Sequence, residues 1–153
     1  MDFVIYNEVD GSLSVLIPSG EISLEEVIQK DVPQGIPFQV VSSNSLPIYA
    51  AFRNSWYADF NDFQGVFVSL EKAKLHYKEV ADRTASSLSL PFTQEYMRLM
   101  AIGGDTTAVQ AQLKSINAAA EQTAYLDATS VPELVACWPP ELGPNPFLPR
   151  TAE

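Results

Sequence analysis

The feature that most constrains the fold of this chain is the stretch from residue 69 to residue 115, where apolar residues recur at helical spacing. Spacing of three or four residues places such side chains on one face of a helix. One apolar series precedes Pro91, a second follows it, and a third follows Gly103-Gly104. The first series is Leu70, Ala73, Tyr77, Val80, Ala81 and Leu88, the second Tyr96, Met97, Met100 and Ala101, and the third Val109, Leu113 and Ile116.

This stretch predicts three helices. An interior proline removes a backbone donor, so we expect the first helix to end before Pro91. The glycine pair ends the second helix, and Asp105 is suited to cap the third. Because no single helix can bury its own apolar face, the three should fold on one another.

The N-terminal part has the pattern of short strands and turns. Phe3–Tyr6 and Leu13–Ile17 flank the turn pair Asp10-Gly11, since both turn residues tolerate positive φ. Ser23 and Glu26 fit a capping box that starts a short helix. Further strands are predicted at residues 38–41 and 65–68.

The C-terminal part is predicted to hold one more short helix and a proline-rich tail. The alanine-rich residues 118–128 would extend the third helix. Ser130 and Glu133 match a second capping box, and Trp138-Pro139-Pro140 ends the helix that it starts. Residues 139–153 are predicted to be either a loose end or an extended arm on a neighbouring protein, with Phe147 and Leu148 as its anchors.

The sequence therefore predicts an α+β fold with three parts. These are a small β-rich N-terminal subdomain with one short helix (1–68), a region of three to four helices (69–138) and a Pro-rich extended tail (139–153).

Charge narrows the classes of partner. The chain carries 9 basic and 19 acidic residues, a net charge of −10. Nucleic acid and anionic membrane are disfavoured, because both are bound by lysine and arginine. No apolar run is long enough to span a bilayer, and the start of the chain lacks the basic region of a secretory signal. We therefore expect no membrane partner and a cytoplasmic site of synthesis.

Few residues are suited to catalysis or to metal binding. The single histidine, His76, has no cysteine or second histidine at metal-ligand spacing, and the single cysteine, Cys137, fits a small apolar residue of a helix. No G-x-S-x-G nucleophile motif or phosphate-binding loop is present. The sequence predicts a protein that is not an enzyme and that uses no metal or cofactor.

Six aromatic residues lie within the sixteen positions from Phe52 to Phe67. Either they build the core of a small sheet, which we favour, or they form a sugar- or protein-binding patch. Trp56 and Tyr57 are the candidates for the surface because polar residues surround them.

The order of motifs resembles the tail-fibre assembly or tail-fibre-associated proteins of tailed bacteriophages. Over residues 20–142 the chain reads VPQGIPFQVV, FRNSW, a strand GVFVS that runs into LEKAKLHYKEVADRTA, then LPFTQEYMRLMAIGGDTTAVQAQLKSIN and PELVACWPPEL. The resemblance assigns no role to individual residues.

The resemblance implies a non-enzymatic tail protein that assists assembly of a fibre or remains bound to it in the virion. Its partner would be a tail-fibre or baseplate protein, with an oligomeric state matched to a trimeric fibre. Its location would be the virion tail, or the host cytoplasm during assembly. Two alternatives stay open: a receptor- or glycan-binding tail module that uses the aromatic cluster around Trp56, and an acidic inhibitor of a basic host protein.

Overall fold

A computed structural model describes residues 1–149 of the chain. Small antiparallel sheets precede several helices, which confirms the predicted α+β class. The chain divides into two compact units, Met1–Ser69 and Leu70–Leu148. Residues 150–153 of the predicted tail lie outside the described residues.

The strands are β1 (Asp2–Asn7), β2 (Leu13–Leu16), β3 (Phe38–Ser42), β4 (Trp56–Tyr57) and β5 (Phe67–Val68). The α-helices are α1 (Leu24–Asp31), α2 (Leu70–Ile102), α3 (Thr107–Glu121) and α4 (Val131–Ala136). Short 3₁₀ helices occupy Ser43–Ser45, Ala50–Ser55, Ala124–Asp127 and Pro140–Leu142.

The first unit is built around β1, which lies between β2 and β3 and is antiparallel to both. Successive side chains of a strand point to opposite faces of the sheet. Val4 and Tyr6 accordingly pack with Val32 and with apolar residues of α1. Ile5 packs on the other face with Val15 and Trp56. Both faces of this small sheet are therefore covered.

The capping box that starts α1 is confirmed. The Ser23 hydroxyl accepts the N–H of Glu26 at 3.3 Å, and the Glu26 carboxylate accepts the N–H of Ser23 at 2.9 Å. These bonds satisfy donors that a helix start otherwise leaves unpaired. The bonds that the Glu26 carboxylate accepts from the N–H and the hydroxyl of Ser23 hold the pKa of Glu26 below its usual value.

The predicted break at Pro91 is wrong, because α2 runs without interruption for 33 residues with Pro91 inside it. Proline leaves the carbonyl of Ser87, four residues earlier, without its helical donor. Both residues are exposed, so water can bond to that carbonyl. α3 packs along α2.

The predicted end at the glycine pair is confirmed. Gly103 has a φ of +67°, which favours glycine, and the N–H of Gly104 donates to the Leu99 carbonyl at 2.8 Å. The cap of α3 differs from the prediction, because the capping position is Thr106. The Asp105 carboxylate accepts the N–H of Thr107 at 2.9 Å instead.

The region after α3 also differs from its prediction. α3 ends at Glu121, so the alanine-rich residues extend it only in part, and a 3₁₀ turn follows. The Ser130 hydroxyl caps α4 by accepting the N–H of Glu133 at 3.3 Å. The Glu133 carboxylate accepts the N–H of Thr129 at 2.7 Å, one residue before the cap.

Candidate partner-binding surfaces

Trp56 lies in the core of the first unit rather than on its surface. Its side chain is 6% exposed and packs with Ile5, Val15 and Val66. Among residues 1–149, no acceptor bonds to its indole N–H. The prediction that Trp56 contacts a partner is therefore wrong, because a strand directs adjacent side chains to opposite faces and Trp56 takes the inner one.

Tyr57 takes the outer face. It is paired across the two-stranded sheet with Phe67, while Trp56 is paired with Val68. The rings of Tyr57 and Phe67 lie 5.8 Å apart, and the two residues are 49% and 47% exposed. The structure therefore keeps one of the two predicted aromatic residues accessible and adds Phe67 beside it.

A cavity of about 510 Å³, broadly open to solvent, lies next to Tyr57. Asp59 lies at this cavity with a fixed carboxylate, which accepts the N–H of Asn61 at 2.8 Å and the N–H of Asp62 at 3.4 Å. The lining combines aromatic, amide and acidic side chains: Asn7, Pro37, Tyr57, Ala58, Asp59, Phe60 and Asn61.

Phe147 is buried in the helical unit, with 1% of its surface exposed. Its ring centre lies 5.4 Å from that of Tyr77 and 5.5 Å from that of Trp138. This packing accompanies a raised pKa of Tyr77, to about 12, because burial disfavours the phenolate. The prediction that Phe147 anchors an arm on another protein is wrong.

Polar bonds hold the chain around Phe147 in this position. The Asn145 side chain donates to the Val135 carbonyl at 2.7 Å and accepts the N–H of Phe147 at 2.9 Å. The indole N–H of Trp138 donates to the Gly143 carbonyl at 3.1 Å. Residues 139–148 are therefore part of the helical unit. Leu148, the other predicted anchor, is exposed.

The second half of α2 carries an exposed apolar surface, part of which was predicted to lie in the core. Of the described residues in α2, none after Ala85 is buried. Met97, 65% exposed, and Met100 were predicted to pack inward, and both face solvent. We call this surface the methionine face and define it as Leu90, Gln94, Met97, Met100 and Ala101, all of them exposed.

The methionine face is uncharged. Between residues 84 and 104 the charged residues are Glu95 and Arg98. These two bond to each other through both carboxylate oxygens, each at 2.7 Å. The bonds from Arg98 hold the pKa of Glu95 below its usual value. A chain of net charge −10 thus contains a helical segment in which the two charged residues, Glu95 and Arg98, bond to each other.

A signal for this face exists in the sequence. The buried series Tyr77, Ala81 and Ala85 advances by four residues, and the same phase continues through Phe92 and Leu99, which are half-buried. Met97 lies about 160° around the helix from Tyr77 at 100° per residue. Treating Pro91 as a break discarded this phase.

Within residues 1–149, no helix is both long and apolar enough to cross a membrane. No group of three or more His, Cys, Asp or Glu in that range could hold a metal ion. His76 lies 3.9 Å from the Glu79 carboxylate and packs edge-on against Phe147.

No family model matches the chain, and no curated protein and no solved structure matches it at a significant level.

Proposed function

We propose that this protein is a non-enzymatic tail protein of a tailed bacteriophage that assists assembly of a tail fibre or remains bound to it. The methionine face is the surface that binds the fibre. The observation that carries the proposal is a group of exposed leucine and methionine side chains on the second half of α2, in a strongly acidic chain. The charged residues of that half, Glu95 and Arg98, bond to each other.

The spacing of the face suits a helical or groove-shaped partner. Leu90, Gln94, Met97 and Ala101 follow one another by four, three and four residues, so they line one side of α2. Amphipathic helices dock into apolar grooves through anchors at this spacing. Methionine adapts to irregular apolar surfaces because its side chain is unbranched and flexible.

The size of the face fits a contact that is repeated on a multimeric partner. From residue 90 to residue 101 the helix rises about 17 Å, and one helix is about 10–12 Å wide. Such a footprint is well below the roughly 800 Å² per partner of a stable interface. A trimeric fibre would present the contact three times, once to each copy of this chain, and each small contact would be weak and reversible.

The order of elements also supports the proposal. In the resembled proteins a short strand leads directly into a long helix, and here β5 leads through Ser69 into α2. The N–H of Ser69 donates to the Ser55 carbonyl at 2.8 Å, which fixes the end of the strand within the first unit.

Co-expression with the neighbouring fibre gene tests the proposal. We expect soluble trimeric fibre with the wild-type protein and aggregated fibre without it. Met97→Lys, which places a charge in the apolar contact, should reduce the yield of trimer. Leu75→Lys is the matched control, because Leu75 is 69% exposed on the first half of the same helix.

Equal trimer yield with wild-type protein, with Met97→Lys and with no protein, together with absence of the protein from purified particles, would refute the proposal. Salt separates it from the acidic-inhibitor alternative. Binding through an apolar face should persist as ionic strength rises, whereas binding through exposed acidic groups should weaken.

A further inference from the structure

We infer that the cavity beside Tyr57 binds a neutral sugar unit of a glycan. This site lies in the first compact unit, whereas the proposed fibre contact lies on α2 in the second. It is therefore a second binding activity, independent of the fibre contact.

The aromatic part of the site is a consequence of strand alternation. Trp56 and Val68 fill the inner positions of the β4–β5 pair and pack with the core. The outer positions of such a pair normally carry polar residues when they face water. Here they carry Tyr57 and Phe67, each about half exposed. Of these two residues Tyr57 lines the cavity, and its ring offers an apolar, flat surface to the C–H side of a sugar ring.

The polar part of the site can bond to hydroxyl groups. Asn7 and Asn61 each supply a carbonyl oxygen that accepts and an amide that donates, and Asp59 supplies a carboxylate that accepts. A sugar hydroxyl both donates and accepts, so it can use both kinds of group. The Asp59 carboxylate is already oriented by the N–H groups of Asn61 and Asp62, so little order has to be gained on binding.

The charges of the lining residues make anionic and cationic ligands less suitable than a neutral sugar. None of the seven lining residues is lysine or arginine, and Asp59 would repel a phosphate or an acidic sugar. An organic cation would be attracted by Asp59 and by the ring of Tyr57. It could bond to the carbonyl oxygens of Asn7 and Asn61 but would leave their amide hydrogens without an acceptor on the ligand. A neutral polyhydroxylated ring satisfies all three polar side chains.

The volume and the openness of the cavity indicate which ligands fit and how tightly they should bind. A volume of about 510 Å³ lies within the usual range of ligand sites, about 300–1,000 Å³. The cavity is broadly open, so a bound sugar would remain partly hydrated and could continue into a longer chain. Because a sugar in so open a site keeps much of its contact with water, we expect weak binding of a single sugar, with a Kd of roughly 1 mM.

The test is an NMR titration of the full-length protein with the methyl glycosides of glucose, galactose and N-acetylglucosamine. Methyl glucuronide and tetramethylammonium chloride serve as the anionic and cationic probes. We expect saturable shifts of backbone amides around Tyr57 and Asn61 with at least one neutral glycoside, and much smaller shifts with the two charged probes.

Two variants of Tyr57 distinguish the effect of losing the aromatic ring from the effect of disturbing the fold. Tyr57→Ala should weaken binding at least about tenfold, whereas Tyr57→Phe, which keeps the ring, should stay within about threefold. Asp59→Asn keeps an acceptor for the turn and should still weaken binding. Ile48→Ala, an exposed residue of the same unit outside the cavity, should leave the Kd unchanged.

Absence of saturable shifts with all three neutral glycosides would overturn the inference, as would tighter binding of either charged probe. Equal affinity of Asp59→Asn and wild type, with Tyr57→Ala also unchanged, would overturn it too. Because Tyr57→Ala leaves the methionine face intact, its fibre yield should equal that of wild type. The sugar site and the proposed fibre contact can therefore fail separately.

Discussion

Replacing Phe147 by alanine tests the packing of residues 139–148 against the helices. The side chain is 1% exposed and contacts the rings of Tyr77 and Trp138. Truncating a buried phenylalanine typically costs about 3–5 kcal/mol, from lost transfer energy and the cavity that remains. We expect Phe147→Ala to fall within this range, because ring partners on two sides limit collapse of the cavity.

This loss is large for a unit of about 80 residues. Stabilities of about 0.05–0.15 kcal/mol per residue give roughly 4–12 kcal/mol for such a unit. A loss of about 3 kcal/mol lowers the Tm of a domain of this size by roughly 12–24 °C. The variant should therefore melt far below the wild type, and part of it could be unfolded at room temperature.

Urea unfolding followed by far-ultraviolet circular dichroism measures the effect, since the helical unit supplies most of the helix signal. Trp138 lies 5.5 Å from Phe147 and reports locally by fluorescence, while Trp56 reports on the other unit. Leu148→Ala is the matched control, because its exposed neighbouring side chain should change stability by less than about 0.5 kcal/mol. Equal stability of the two variants would refute the packing of Phe147.

Two further predictions concern α4 and α2. The Glu133 carboxylate accepts hydrogen bonds from Thr129, which hold its pKa in the folded protein below the ordinary value of 4.5. The ionised carboxylate therefore stabilises the fold above pH 4.5, and this stabilisation is lost as the pH falls through the folded pKa. Glu133→Gln should therefore lower the Tm at neutral pH and have little effect at about pH 2. An equal change of Tm at both pH values would contradict a stabilising role of the ionised Glu133 carboxylate. Pro91→Ala should stabilise the protein by about 1–2 kcal/mol, because it restores the N–H that can bond to the Ser87 carbonyl in an uninterrupted helix. An unchanged or lower urea midpoint would contradict a continuous α2.

The sequence was sufficient for features that local chemistry determines. The capping box of Ser23 and Glu26 and the helix end at Gly103 were predicted because each depends on a few adjacent residues. The α+β class followed from the change of apolar period along the chain. Strand alternation implies that only one of Trp56 and Tyr57 faces the core, but it does not tell which, so the burial of Trp56 comes from the structure.

Features set by packing were missed. Proline usually ends a helix, yet α2 continues through Pro91, and the bond that it loses lies at an exposed carbonyl. The composition of residues 139–148 predicts irregular chain and does not reveal where that chain packs. The bonds of Asn145 and Trp138 shape the chain between residues 135 and 147. Phe147 then packs against Tyr77, a residue seventy positions earlier, and no local pattern reveals that contact.

The charge of the chain and the methionine face have complementary roles in the proposed function. An exposed apolar surface favours association of two copies of the chain, because association removes the apolar area of both copies from water. A net charge of −10 opposes that association between identical copies through repulsion of the acidic surfaces. A fibre that presents apolar surface without the same acidic charge meets no such repulsion. The distribution of charge therefore favours binding to a different protein over self-association, and it does so without any charged residue in the contact itself.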